Sequence, residues 1–107
     1  MNEAKAAQTE SAFREVNEAI ARTAAKFDAD EAEFVCECAD PGCAHRVPAD
    51  LADYEDVRAD ATHFILAPGH NEPRVERVVE RTTDYEFVEK FGYTVQRIVR
   101  RLNPRPA

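Results

Sequence analysis

Phe13, Val16, Ile20, Ala24 and Phe27 recur every three or four positions through a stretch otherwise rich in Ala, Glu, Arg and Lys. That period predicts an amphipathic helix from about Thr9 to Phe27 with this set as its apolar face. A polar connector, Asp28 to Ala32, follows. Phe34-Val35-Cys36 then reads as a short strand, Asp40-Pro41-Gly42 as a reverse turn, and His45-Arg46-Val47 as the returning strand, stopped by Pro48. Pro presets φ and Gly tolerates positive φ, which is why that tripeptide turns the chain.

Further on, the acidic start at Asp50 and the positions of Leu51, Tyr54, Val57 and the stem of Arg58 predict a short helix over 50–59. The β-branched and aromatic run Thr62–Ala67 predicts a strand ended by Pro68-Gly69. Val75–Arg81 and Tyr85–Phe91 read as two strands joined across Thr82-Thr83-Asp84, although Val75, Val78 and Val79 also fit a helix. Val95, Ile98, Val99 and Leu102 suggest a last short helix before Asn103-Pro104. The expected fold is a small single α+β domain: an N-terminal helix, a mainly antiparallel sheet and a second short helix. Three stretches divide it, with helix and connector in 1–30, the core in 31–92 and a basic helix or tail in 93–107.

Composition narrows the class. A chain of 107 residues carries one modest core. No apolar run approaches the roughly 20 residues of a membrane span, and the first residues lack the apolar centre of a secretion signal. Three cysteines, an odd number, in such a chain read as reduced and cytoplasmic, where metal binding outranks disulfides. The net charge of −7 is unevenly spread. All 21 acids precede Gly92, against ten basic residues, so the body carries −11; the four arginines Arg97, Arg100, Arg101 and Arg105 give the end +4. An acidic body repels phosphate. The basic end is expected to be solvated, with Arg97, Arg100 and Arg101 as the candidate contacts to nucleic acid.

The chemistry lies in Cys36, Cys38 and Cys43, gathered within eight residues. In extended backbone, residues i and i+2 face the same way, so Cys36 and Cys38 can offer both sulfurs to one ion, and the Asp40-Pro41-Gly42 turn returns Cys43 to the same point. Three thiolates and a histidine make a closed Cys3His site for Zn2+, a structural rather than catalytic arrangement. His70 would tie a distant strand onto the cysteine turn, and Pro68-Gly69 suits a turn that aims its side chain; His45 would close a purely local knuckle instead. An open fourth position is the remaining option. His63 reads as an ordinary surface histidine. Three free thiols that bind nothing, or a redox disulfide between Cys36 and Cys38, are the competing interpretations, the latter strained by geometry. An iron–sulfur cluster of the CDGSH type is similar in its C-x-C start, but the interval from Cys38 to Cys43 is too short for that pattern and Cys43-Ala-His45 lacks its spacing.

No phosphate-binding glycine loop, H-E-x-x-H, G-x-S-x-G or deaminase motif is present. Glu37, Asp40 and Glu72 lie near the proposed metal in sequence, and one of them could act as a general base if the fourth position held water; three thiolates quench Lewis acidity, however, so an enzyme is the less favoured class. A protein-interaction or regulatory module is preferred, with a nucleic-acid-binding regulator as the alternative. The apolar face of the N-terminal helix either packs on the domain's own sheet or serves a protein partner or homo-oligomer.

Phe34-Val-Cys-Glu-Cys38, Cys43, Tyr54-Glu-Asp-Val-Arg58, Phe64, Pro68-Gly-His70, Val75–Arg81 and Tyr85–Lys90 together resemble an uncharacterised family of short actinobacterial proteins with a C-E-C, C, P-G-H order. The resemblance covers about Phe34 to Gly92. It implies that the Pro-Gly-His histidine, His70, joins the cysteines, and it implies no activity.

Overall fold

Asn2 caps the first helix: its side-chain oxygen accepts the Lys5 N–H at 3.0 Å. The computed structural model describes residues 2–105; Met1 and the end of the expected tail, Pro106 and Ala107, lie outside the described residues. From that cap the alanine-rich segment runs as α1 (Glu3–Lys26), beginning six residues earlier than the apolar period predicts. It stops in a Schellman motif, with Asp28 at φ 57° and hydrogen bonds from Asp28 N to Ala25 O and from Ala29 N to Ala24 O.

β1 (Glu31–Val35) and β2 (Arg46–Asp50) form an antiparallel hairpin whose connection holds the cysteines. Pro48 does not stop β2. The bond from Cys36 N to His45 O sets the alternation, which leaves Pro48, opposite Glu33, at a position that needs no N–H for the ladder. α2 (Leu51–Arg58) follows, with Tyr54, Val57 and Arg58 buried as expected. β3 (His63–Leu66), β4 (Glu76–Arg81) and β5 (Glu86–Lys90) make an antiparallel sheet in the order β3-β5-β4. The helical alternative for 75–81 is therefore not adopted; pairing with β5 decides in favour of strand, with a bulge at Val78/Glu80. The hairpins are linked where Glu37 N bonds Ile65 O at 2.9 Å. α3 (Tyr93–Arg101) buries Val95 and Val99, so the basic end is folded back rather than free. Arg105 completes the return by pairing with Glu18 and Glu55.

The core centres on Phe34, Val47, Tyr54, Phe64, Ile65, Leu66 and Val88, with Phe34 stacked on Tyr54 at 4.4 Å. α1 meets that core with a different face from the one expected, although Ile20 of the expected set still packs against it. Ala7, Glu10, Arg14, Asn17 and Ala21 are buried, whereas Val16 is 47% and Phe27 75% exposed. The correction has a physical cause: Glu10, Arg14 and Asn17 each find a partner offered by another element. Arg14 donates to Ala61 O (2.8 Å) and Val99 O (2.7 Å) and lies 4.7 Å from the centre of the Phe64 ring. Asn17 bridges both backbone groups of Val35 and donates to Glu37 at 2.7 Å. Lys90, at the end of β5, is ion-paired with both Glu10 and Glu76.

One ammonium shared by two buried carboxylates leaves a surplus negative charge. Burial pushes the Glu10 carboxyl up to about 7, against the pull of Lys90 and with the help of Glu76. A carboxyl raised in the folded state adds stability at low pH that is lost as pH rises through about 7. Glu10→Gln, which cannot ionise, is expected to gain on the wild-type chain by roughly 2 kcal/mol between pH 5.5 and 8.5. Paired urea unfolding curves across that range check it; a stability difference independent of pH would refute the charge assignment.

Candidate metal centre

The site is assembled from two turns. Cys36 and Cys38 follow directly on β1, where the chain begins to bend, and both are buried. Asp40 then closes the reversal: its carboxylate accepts Gly42 N at 2.9 Å and its carbonyl accepts Cys43 N at 3.0 Å. The second turn follows β3. Pro68 and Gly69, the latter at φ 81°, occupy the centre of a type II turn closed by His70 N to Ala67 O at 3.1 Å. A side chain at position 69 would be strained by that φ. The turn presents His70 to the cysteines.

The donor atoms of Cys36, Cys38, Cys43 and His70 all lie within 4.8 Å of one another. His70 Nδ1 is 3.6 Å from Cys36 Sγ and 3.7 Å from Cys43 Sγ. A tetrahedral ion with bonds of about 2.3 Å to sulfur and about 2.05 Å to nitrogen sets S···N edges near 3.6 Å. The observed separations match those edges. Cys36 Sγ also accepts the Ala67 N–H at 3.2 Å, a contact that locks the β3 end onto the cysteine turn.

The hydrogen bond from the Cys36 thiol holds the Cys38 thiol down at about 5, while that same bond, with burial, pushes Cys36 up. Burial likewise raises Cys43. Without a cation the cluster thus concentrates negative charge on Cys38 alone, and an ion held by all three sulfurs would have to displace the protons of Cys36 and Cys43.

Each other residue singled out in the sequence has its own place. His45 is exposed and outside the group of four; its ring stands edge-on to His70 at 4.5 Å, and its carbonyl accepts Cys36 N. Glu37 faces the interior, where it accepts from Asn17 and from Ile65 N (3.0 Å) and burial raises its carboxyl. Asp40 is engaged by its turn, and Glu72 by Arg74. His63 lies 3.3 Å from Glu89, and with Asp60 these three form a second group of donor atoms. Thr62 already occupies Asp60 (2.8 Å) and Arg77 occupies Glu89 (2.7 Å).

Sequence reasoning missed Glu10. It lines a cavity of about 270 Å³ together with Cys38, Asp40, His70 and Glu72, and its Oε1 has no hydrogen-bond partner among the described residues. No local signal marks it, because it sits on the polar face of α1. Among the described residues, no helix is long and apolar enough to cross a membrane. The fold and cluster define a small α+β domain with a Cys3His group suited to a metal ion. No family model, curated protein or solved structure matches the chain.

Proposed function

We propose that this is a small zinc-binding protein of the cytoplasm, in which Cys36, Cys38, Cys43 and His70 ligate one structural Zn2+ and the stapled domain serves as a protein-interaction or regulatory module. The observation that carries this reading is the meeting of His70 Nδ1 with Cys36 and Cys43 at 3.6 and 3.7 Å, from segments 34 and 27 residues apart. Three soft thiolates and an imidazole in tetrahedral array favour zinc. Donor atoms this close suit one ion rather than a two-iron cluster, whose ligands divide between two metal atoms. Four protein ligands leave no position for water or substrate, which supports a structural role. Reduced, partly buried thiols fit a reducing compartment. The Pro68-Gly69-His70 turn also supports kinship with the actinobacterial group.

The test is metal content. Protein produced without added metal is expected to carry about one zinc per chain, and cobalt substituted for it should give the absorption of a tetrahedral, thiolate-rich site. Metal-free protein that folds fully in strong chelator would overturn the reading. Nucleic-acid binding is the second reading. It draws on Arg97, Arg100 and Arg101, exposed on α3 and in no ion pair among the described residues, and it is opposed by the net charge of −7 and by the engagement of Arg105 with Glu18 and Glu55.

A further inference from the structure

The three sulfurs of the candidate metal centre are unequally covered. Cys36 and Cys38 are 1% and 4% exposed, while Cys43 is half-buried. Every other residue from Asp40 to Arg46 is exposed, so Cys43 stands on the open turn, where a small solute meets its sulfur first. Geometry then separates the two partners that Cys43 could take. All three sulfurs lie within 4.8 Å of one another, and a disulfide draws two of them to about 2.05 Å. Cys36 follows directly on β1, and its sulfur is held by the Ala67 N–H at 3.2 Å. Cys38 shares the turn with Cys43, and only the short stretch 39–42, closed by two hydrogen bonds to Asp40, has to give.

We propose that Cys43 is a site of oxidation by hydrogen peroxide and that its disulfide with Cys38 discharges the metal, a regulation of the site that rests on the zinc assignment above. The zinc-bound Cys43 thiolate attacks one peroxide oxygen, the O–O bond breaks and hydroxide leaves, so Cys43 becomes a sulfenic acid. The Cys38 thiolate then attacks the Cys43 sulfur. The S–S bond forms, the S–OH bond breaks and a second hydroxide leaves. Together the two sulfurs lose two electrons, and the two peroxide oxygens gain them. Zinc is left with Cys36 and His70, half of its ligand set, and the metal tie from the end of β3 to the cysteine turn opens.

The experiment is peroxide titration of the full chain after its zinc content has been measured by elemental analysis. Zinc release is followed with a chromogenic chelator, and the cysteines are mapped by mass spectrometry after alkylation. Cleavage after Glu37 and before Asp40 puts the three cysteines on separate peptides. About one zinc per chain is expected to leave in step with a mass loss of about 2 Da and a Cys38–Cys43 link, while Cys36 stays open to alkylation. Cys38→His, which keeps a full set of zinc ligands, should stop at a sulfenic acid on Cys43 that dimedone traps. A disulfide that includes Cys36, a Cys38→His chain without the Cys43 adduct, or a linked chain that keeps its zinc overturns the proposal. A chain that carries no zinc at the outset overturns the metal assignment instead; the Cys38–Cys43 link is still expected of it, and failure to form that link overturns the oxidation site.

Discussion

If the four donors hold zinc as proposed, His70→Ala is expected to abolish zinc binding and the cooperative thermal unfolding transition, while His45→Ala is expected to keep both. The contrast follows from what each histidine connects. His70 closes a loop of 34 residues from Cys36, joining the end of β3 to the cysteine turn, and a cross-link stabilises most when it removes that much freedom from the unfolded chain. Structural zinc contributes on the order of 10 kcal/mol in small peptide sites, comparable to the whole stability of an ordinary domain. Such a cross-link would matter particularly in this domain. Glu10, Arg14, Asn17, Glu37, Arg58, Glu76, Glu86 and Lys90 are all buried, so much of the interior is hydrogen-bonded and ionic rather than apolar, and such groups add little net stability. His45 is exposed, stands edge-on to the ring of His70 and otherwise contributes backbone groups that alanine retains, so its loss is expected to cost less than about 1 kcal/mol. Zinc content and melting curves of the two variants check the contrast. A His70→Ala protein that holds one zinc and melts like wild type would move the fourth ligand elsewhere.

Lys90→Met is the second large effect. It removes the ammonium that pairs with both Glu10 and Glu76 and leaves two carboxylates with no ion-pair partner among the described residues. Breaking a buried pair on one side costs about 3–5 kcal/mol, because the stranded charge has neither water nor partner. The loss is expected to be greatest above pH 7, where Glu10 ionises, and to shrink toward pH 5 as it takes up its proton. A triple variant, Glu10→Leu/Glu76→Leu/Lys90→Met, should recover most of the loss, since well-packed apolar side chains replace such ions at little cost. Urea midpoints of the single and triple variants measure both claims; a Lys90→Met midpoint close to wild type would show that the triad bears no weight.

Much of the molecule was legible before its structure. The hairpin around the cysteines, the strand ended by Pro68-Gly69 and the pairing of 75–81 with 85–91 rest on alternation and turn chemistry, which act over a few residues. The strand after Cys43 was cut short at Pro48 because a lone proline signals a stop, and only the register with β1 reveals a position that needs no N–H. The face of α1 was assigned wrongly for a related reason. Periodicity identifies the apolar side of a helix and assumes that this side is inside.

The sequence by itself determined the three-thiol cluster, the turns that gather it and most of the helices and strands, since each depends on neighbours along the chain; pairing with β5 was needed to fix 76–81 as a strand. Tertiary structure alone decided that Asn17, Arg14 and Glu10 lie inside and Val16 and Phe27 outside, and that His70 rather than His45 meets the sulfurs. Those outcomes depend on where the carbonyls of Ala61 and Val99, the backbone of Val35 and the ammonium of Lys90 come to rest. A buried polar face is stable only when such partners arrive from distant segments, and nothing in a local pattern announces them.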